Sequence, residues 1–316
     1  MIRFSNPPAR RGVALGIAVS AALVLAACGS SGSKSGSNPL AAGPAKGSVV
    51  IGSANFPEDE VLAEIYQLAI QAKGVKVTPK FNIGAREVYY PQIVKGAVTI
   101  IPEYNGALLT TSVDKTSTAA STAQVDAALA AGLPSSLEVL NPSAAEDSDS
   151  VTVTQAFATA HHLTSIADLA SIAKTMVFGA APEFETRPDG LAGLKKNYGV
   201  VFKSFDPLGD ESGPITLAAL TDNKVQAADV FTTTPQIASD HLVTLTDPKN
   251  NFAAQNVIPL VYKKGVSPAI VAVLNEISAK LTTQGLISLN TALGNHASYQ
   301  SAAEAWLTSA GIPFKA

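Results

Sequence analysis

Cysteine is almost missing: Cys28 is the single one in 316 residues. No internal disulfide can form, and a cysteine-rich zinc site is excluded. Charge is also scarce, at 15% of residues, with 22 Lys and Arg against 25 Asp and Glu and no long basic block. Nucleic-acid binding calls for a dense cationic face, so no nucleic-acid partner is expected. Low charge beside a hydrophobic content of 47% argues against an extended disordered chain. Missing too are a Gly-x-Ser-x-Gly elbow, a phosphate-binding Gly-rich loop and a Gly-x-Gly-x-x-Gly after a strand. Of four histidines, His161 and His162 are adjacent, and Asp168 alone near them is too little for a metal site. The expectation is therefore no enzyme, no cofactor and no metal.

Only one long apolar run exists, and it lies at the start. Arg3, Arg10 and Arg11 form a positive head before Gly12–Ala27, which Ser20 alone interrupts. Sixteen residues are short for a spanning helix, which needs about twenty. A cationic head, a short greasy middle and small residues at the end form a secretory signal over residues 1–27. The end itself, Leu25-Ala26-Ala27-Cys28, resembles the bacterial lipobox, in which the cysteine is acylated and becomes the new N-terminus. The alternative is a plain signal peptide or uncleaved anchor with an incidental cysteine. Several acyl chains on Cys28 would hold the protein stably to a bilayer, on the extracytoplasmic face of the cell membrane. Loss of residues 1–27 would leave 19 cationic against 25 acidic side chains. Residues 28–47 are rich in Gly, Ser, Ala and Pro without apolar periodicity, as in a flexible tether.

From Ser48 onward, strands and helices alternate. Val49-Val50-Ile51 reads as a buried strand, and apolar residues recur at helical spacing from Pro57. Pro57 suits a first helical turn, and Glu58, Asp59 and Glu60 suit the positive end of its dipole. Strands follow over 75–81 and 99–103, with a helix over 87–95 between them. After Pro142 the pattern resumes, with helices over 168–173, 190–198 and 215–222. Strands are expected over 175–179, 200–205, 227–231, 242–245 and 257–262, then helices over 268–282, 286–293 and 302–310. Such alternation predicts mostly parallel sheets flanked by helices. Ligands then sit at the carboxyl ends of strands, where Asn55, Arg86, Glu87 and Tyr104 fall. The acidic pairs Asp147/Asp149 and Asp210/Glu211 read as solvated loop charges.

Several blocks carry a resemblance. Gly52-Ser53-Ala54-Asn55-Phe56-Pro57-Glu58, Phe81-Asn82-Ile83-Gly84-Ala85 and Ile101-Pro102-Glu103-Tyr104-Asn105-Gly106 come first. Glu183-Phe184, Arg187-Pro188-Asp189-Gly190-Leu191, Tyr198-Gly199 and Asp247-Pro248-Lys249-Asn250-Asn251-Phe252 follow. In this order they resemble solute-binding proteins of osmoprotectant ABC importers, the ProX/OpuC class for glycine betaine, choline and carnitine. The resemblance spans roughly residues 50–260. It implies an α/β, bilobed periplasmic-binding-protein-like fold of type II, two α/β lobes joined by two hinge crossovers. Residues 48–150 plus 256–316 would form lobe 1 and residues 151–255 lobe 2, with hinges near 150–155 and 252–258.

The resemblance also implies a ligand site. A quaternary ammonium has no N–H and is held by aromatic faces, at about 0.5–2 kcal/mol per ring, while a ligand carboxylate wants an arginine fork. Tyr104 matches a cage tyrosine, and Arg187 matches a position that can meet a carboxylate. Three further cage positions differ here: Val151, Phe231 and the pair Gln255-Asn256 stand where tyrosines would be. Phe231 keeps a π face, and Phe56, Tyr89 and Tyr90 are the aromatics placed to compensate. Thr232, Gln255 and Asn256 would suit hydroxyl- or amide-bearing ligands. If Glu87 faces the pocket, it favours a cation without its own carboxylate, such as choline, over betaine; otherwise Arg86 and Glu87 are surface charges. The expected whole is a monomeric lipoprotein that captures a small solute between its lobes and delivers it to an ABC permease. Rival readings are the same receptor for a non-quaternary polar or aromatic solute, a cell-surface enzyme on the same scaffold, and a pocketless envelope scaffold.

Overall fold

The computed structural model describes residues 48–315. The signal sequence, Cys28 and the tether expected over 1–47 lie outside the described residues. None of the described helices is long and apolar enough to cross a membrane.

The first sheet begins with β1 (Ser48–Gly52), the helix α1 (Pro57–Gln71), β2 (Lys76–Lys80), α2 (Arg86–Val94) and β3 (Ile100–Tyr104). Pro57 occupies the first turn of α1, ahead of Glu58, Asp59 and Glu60, as dipole and proline geometry favour. The short α3 (Asn105–Leu108) runs into a wide turn over Leu109–Val113, and α4 (Thr122–Gly132) leads to β4 (Leu137–Val139). Residues 105–139 carry no element in the sequence reading. Their helices are short, and α4 buries only Val125 and Leu129, which is too little to make a clear stripe.

The second sheet is built from β5 (Val151–Thr154), α5 (Gln155–His161), β6 (Val177–Ala180), α6 (Leu191–Tyr198), β7 (Ser204–Pro207), α7 (Pro214–Thr221), β8 (Ala227–Asp229), α8 (Gln236–Ser239) and β9 (Leu242–Thr244). The chain then returns to the first sheet as β10 (Val257–Tyr262) and ends in α9 (Pro268–Lys280), α10 (Thr283–Gly294) and α11 (Tyr299–Ala310). Two local expectations shift. The helix expected from Asp168 is a 3-10 turn over Ile166–Ser171, and the strand expected over 200–205 starts only at Ser204.

Both sheets have the same plan. The first is ordered β2-β1-β3-β10-β4 and the second β7-β6-β8-β5-β9. In each, three strands run parallel, and the strand arriving from the other sheet inserts in fourth place, antiparallel to both neighbours. This makes two α/β lobes with two connections. It also moves the hinges. Val151–Thr154 is an interior strand hydrogen-bonded on both sides, so it cannot act as a linker. The crossovers are residues 140–150 and 245–256, since Val257 and Ile258 already belong to β10.

Each sheet is covered on both faces. In lobe 1, α1, α9, α10 and α11 pack on one side around Ile65, Leu274 and Leu307, all fully buried. On the other, α2, α3 and α4 pack around Ile93, Ile101 and Leu108. In lobe 2, Phe178 stacks on Phe202 at 4.7 Å and meets Phe184 at 5.2 Å in the larger core. Close approach of the second crossover to α3 requires a glycine: a Cβ on Gly106 would lie 2.3 Å from the Ala254 carbonyl oxygen.

Candidate functional site

The cleft between the lobes holds a cavity of about 50 Å3. From lobe 1 it takes Asn55 and Phe56 after β1, Ala85, Arg86 and Tyr89 at the start of α2, and Tyr104 at the end of β3. Lobe 2 supplies Arg187, Glu211 and Phe231, and the crossovers supply Asp147, Asp149 and Gln255. The lobe 1 groups stand at carboxyl ends of parallel strands, where helix N-termini and loops converge.

Three rings make the apolar wall. Phe56 sits in the middle, 5.9 Å from Tyr104 and 5.4 Å, edge to face, from Phe231 across the cleft. Spacings of this size are favourable between aromatic pairs, and they present π faces from both lobes. The hydroxyl of Tyr104 donates to Glu58 Oε1 at 2.7 Å, which fixes the ring's orientation.

Both arginines are already engaged. Arg86 is buried, and its Nε and Nη2 grip both carboxylate oxygens of Glu103 at 3.0–3.1 Å. Glu103 has no exposed surface and also accepts from the Tyr89 hydroxyl and the Tyr104 N–H. A buried pair persists only when its remaining lone pairs are satisfied like this. Arg187 reaches across the cleft, donating from Nε and Nη2 to the two oxygens of Glu87 at 3.2 Å each. Burial and hydrogen bonding leave opposite marks on Glu87: desolvation raises its pKa, but Arg187 outweighs it and holds the carboxyl below its usual range.

Carboxyl groups form the remaining polar surface. Glu58 accepts from Tyr104, from Thr233 Oγ1 at 2.6 Å and from Asn290 Nδ2 at 2.6 Å, tying α1 and α10 to lobe 2. Asp147 accepts from the Thr233 N–H at 2.9 Å and from Thr232 Oγ1 at 3.3 Å. Desolvation raises the pKa of both Glu58 and Asp147, which lie against each other. Behind Asp149, burial and the neighbouring Asp149 push up Asp229. Burial, with Glu183 and Asp149 adding repulsion that Arg187 partly offsets, raises Glu211 to about 7.

Glu211 and Ser212 both hold left-handed backbone, at φ 45° and 64°, a conformation that costs non-glycine residues on the order of 1 kcal/mol or more. Ser212 fastens this turn: its hydroxyl donates to the Asp229 carbonyl and accepts from the Phe231 N–H. These two hydrogen bonds hold the Glu211-Ser212 turn in a fixed relation to Phe231. Asp210, its neighbour, instead accepts from Thr216 N and Oγ1 in the first turn of α7. The solvated-loop reading of these acids is corrected for Asp147, Asp149 and Glu211, which face the cleft.

Of the residues singled out from sequence, the structure brings Asn55, Phe56, Tyr104, Arg187, Phe231 and Gln255 together around the cavity. Five others stand off it. Val151 is fully buried in the core of lobe 2 and pairs with Asp229 in the sheet. Asn256 is spent on Asn105, Thr122 and Ser143, joining the crossover to lobe 1. Thr232 caps the Asp147–Ser148 turn. Tyr90 packs against the α2 side of lobe 1, and Glu87 reaches the site only through Arg187. The side-chain Oε1 of Gln255 accepts from the Ala107 N–H at 2.9 Å. The pair of histidines is remote: His161 lies tilted against Phe157, ring centroids 4.4 Å apart, and His162 ends α5 in left-handed backbone. Among the described residues no cluster of three metal-ligating side chains occurs.

A wider groove of about 410 Å3 continues from the cavity, sharing Phe56, Asp147, Glu211 and Phe231. It runs between Pro214 and Leu217 of lobe 2 and Leu293 and Tyr299 of lobe 1.

Two lobes of like topology, two crossovers and a ring-lined cleft define the class of two-lobed solute-binding proteins. Residues 47–309 match the family described as the substrate binding domain of the ABC-type glycine betaine transport system, and the chain belongs to that family. It is 28% identical over 257 residues to the glycine betaine-binding protein YehZ of Escherichia coli, covering 78% of this chain and 84% of that one. It is 26% identical to a glycine-betaine-binding protein of Pseudomonas aeruginosa over 76% of this chain and 80% of the relative. The crystal structure of a glycine betaine/carnitine/choline ABC transporter superposes with a TM-score of 0.65 at 22% identity, over 84% of this chain and 99% of that one. The fold and the importer-receptor class expected from the sequence agree with these matches. The protein is a substrate-binding component of an ABC importer.

Proposed function

We propose that this receptor captures a small quaternary-ammonium solute of the compatible-solute class between Phe56, Tyr104 and Phe231. The carrying observation is the ring triad, contributed by both lobes and flanked by carboxyl groups. Such a head cannot be hydrogen-bonded and is attracted by desolvated π faces at about 0.5–2 kcal/mol each. Closure of residues 48–150 and 256–316 onto 151–255 would complete the triad, since Phe56 and Phe231 lie on opposite lobes. Glu58–Thr233, Thr110–Asp189 and Glu87–Arg187 are the contacts that closure makes. The solute is released unchanged to the permease, as a receptor without turnover. Cys28 carries the lipid that keeps the monomer at the extracytoplasmic face of the membrane.

Titration calorimetry of the purified protein with choline, glycine betaine, carnitine and proline tests the ligand class. Saturable heat with one or more of the quaternary compounds is expected, and heat with none of them removes the class. Cys28→Ala is expected to shift the protein from the membrane fraction to the soluble one; unchanged membrane retention contradicts the anchor.

A further inference from the structure

We propose that the cleft selects a net cation, a solute with a permanent ammonium and no carboxylate, with Asp149 and Glu211 as its counter-charges. This rests on the reading of the cleft as the solute site and narrows it.

A zwitterion such as a betaine needs two things from a site: π faces or carboxylates for its ammonium, and a free cationic fork for its carboxylate. The first is present. With the lobes closed as here, the second is taken twice over, because each guanidinium in the cavity wall makes a two-pronged contact with a glutamate of this chain. The Arg86 pair is sealed, with side-chain exposures of 8% and 0%. The Arg187 pair leaves the arginine only 14% exposed. Among the described residues no other Lys or Arg lines the cavity.

The acids are differently placed. Asp147 is occupied by Thr232 and Thr233. Asp149 and Glu211 line the cavity without an ion pair among the described residues, Asp149 sharing a side-chain hydrogen bond with Asp229 behind it. Around Glu211 stand Glu183 and Asp149 as like charges and Arg187 and Arg86 as unlike ones. Burial is the main cause that raises the Glu211 carboxyl, and these neighbouring charges only modulate it; a cation bound beside it would favour its ionised form. Its position is fixed by the left-handed Glu211-Ser212 turn that also holds Phe231, so ring and counter-charge arrive as a unit. The Asn55 Oδ1 atom is buried without a partner and lies at the same cavity. A hydroxyl or N–H on the solute can satisfy it, whereas an ionised carboxylate has no proton to give.

A ligand carboxylate entering here would meet two carboxyl groups and no open guanidinium, and like-charge juxtaposition is a strong means of rejection. Recognition therefore works by counter-charge for the cation and by repulsion against the zwitterion.

Calorimetric titration of the full-length protein with choline and with glycine betaine at pH 7.5 tests this. Choline is expected to bind at least tenfold tighter than glycine betaine. Asp149→Asn and Glu211→Gln should each weaken choline about tenfold and narrow that ratio. Glu87→Gln, which releases Arg187, should shift the ratio toward glycine betaine. Glycine betaine binding as tightly as choline, or choline affinity unmoved in both Asp149→Asn and Glu211→Gln, overturns the proposal while leaving the quaternary-ammonium reading standing. Binding of neither compound overturns the proposal, and absence of heat with carnitine as well overturns the reading it rests on. A melting curve for each variant separates a lost counter-charge from a lost fold.

Discussion

The two lobes share one strand order but meet the solute differently. Lobe 1 presents a finished surface: Tyr104 is pinned by Glu58, and Arg86 is sealed against Glu103 with Tyr89 beside it. Lobe 2 and the crossovers present an unfinished one, with Asp149 and Glu211 facing the cavity without ion pairs among the described residues and a strained turn beneath Phe231. The difference separates stability from recognition. Groups in lobe 1 should govern folding when changed, and groups in lobe 2 should govern affinity and its response to pH.

The largest effect should follow from Glu103→Ala. It strands Arg86, and removing one partner of a buried pair costs about 3–5 kcal/mol. For a chain of this size that lowers the melting temperature on the order of 10 °C, read by calorimetry or circular dichroism. A shift of only a degree or two would mean that lobe 1 does not depend on that pair.

Next comes Phe56→Ala, the one change that should affect both lobes' share of the cage. Choline affinity should fall about tenfold or more, since the central ring and the packing it gives its two neighbours are both lost. Tyr90→Ala, on the α2 side of lobe 1, should leave affinity within about twofold. Equal losses in the two variants would break the placement of the cage.

The pH response should be moderate and should come from lobe 2. Burial holds the Glu211 carboxyl near 7 in the folded protein, above its ordinary value of 4.5. Between those values the folded state binds more protons than the unfolded one, so stability without solute should decline as pH rises from about 5 to 8. Glu211→Gln should flatten the melting-temperature profile over that window. A profile that keeps its slope in the variant assigns the titration elsewhere, with Asp229 and Asp147 as the groups next in line.

The smallest effect should be Thr110→Val, which removes one hydrogen bond between the lobes, to Asp189 at 2.9 Å. A single such bond contributes about 1 kcal/mol, so closure measured by solution scattering at sub-saturating solute should weaken slightly and affinity by a few-fold.

The same division explains what could be read from the sequence. β1, α1 and β3 were legible because their apolar residues repeat at clear periods and because Pro57 and the acids after it mark a helix start. Tyr104, Phe56 and Asn55 followed, since strand ends in such sheets face the cleft. Val151 misled because a position equivalent in sequence lies here on an interior strand, with its side chain in the core. Asn256 and Thr232 misled because their polar groups are consumed by neighbours far away in the chain, Asn105 and Asp147 among them. Asp147, Asp149 and Glu211 were hidden for the opposite reason. Acids among Ser, Asp and Gly look solvated until the second lobe covers them, and no local pattern encodes that burial. A left-handed Glu-Ser turn likewise leaves no mark on composition.

A crystal structure of the protein with choline would test the central claim most directly. The account predicts the quaternary nitrogen within about 6 Å of the ring centroids of at least two of Phe56, Tyr104 and Phe231, with Asp149 or Glu211 as its nearest carboxylate. A nitrogen seated instead in the groove toward Leu293 and Tyr299, away from the three rings, would contradict it.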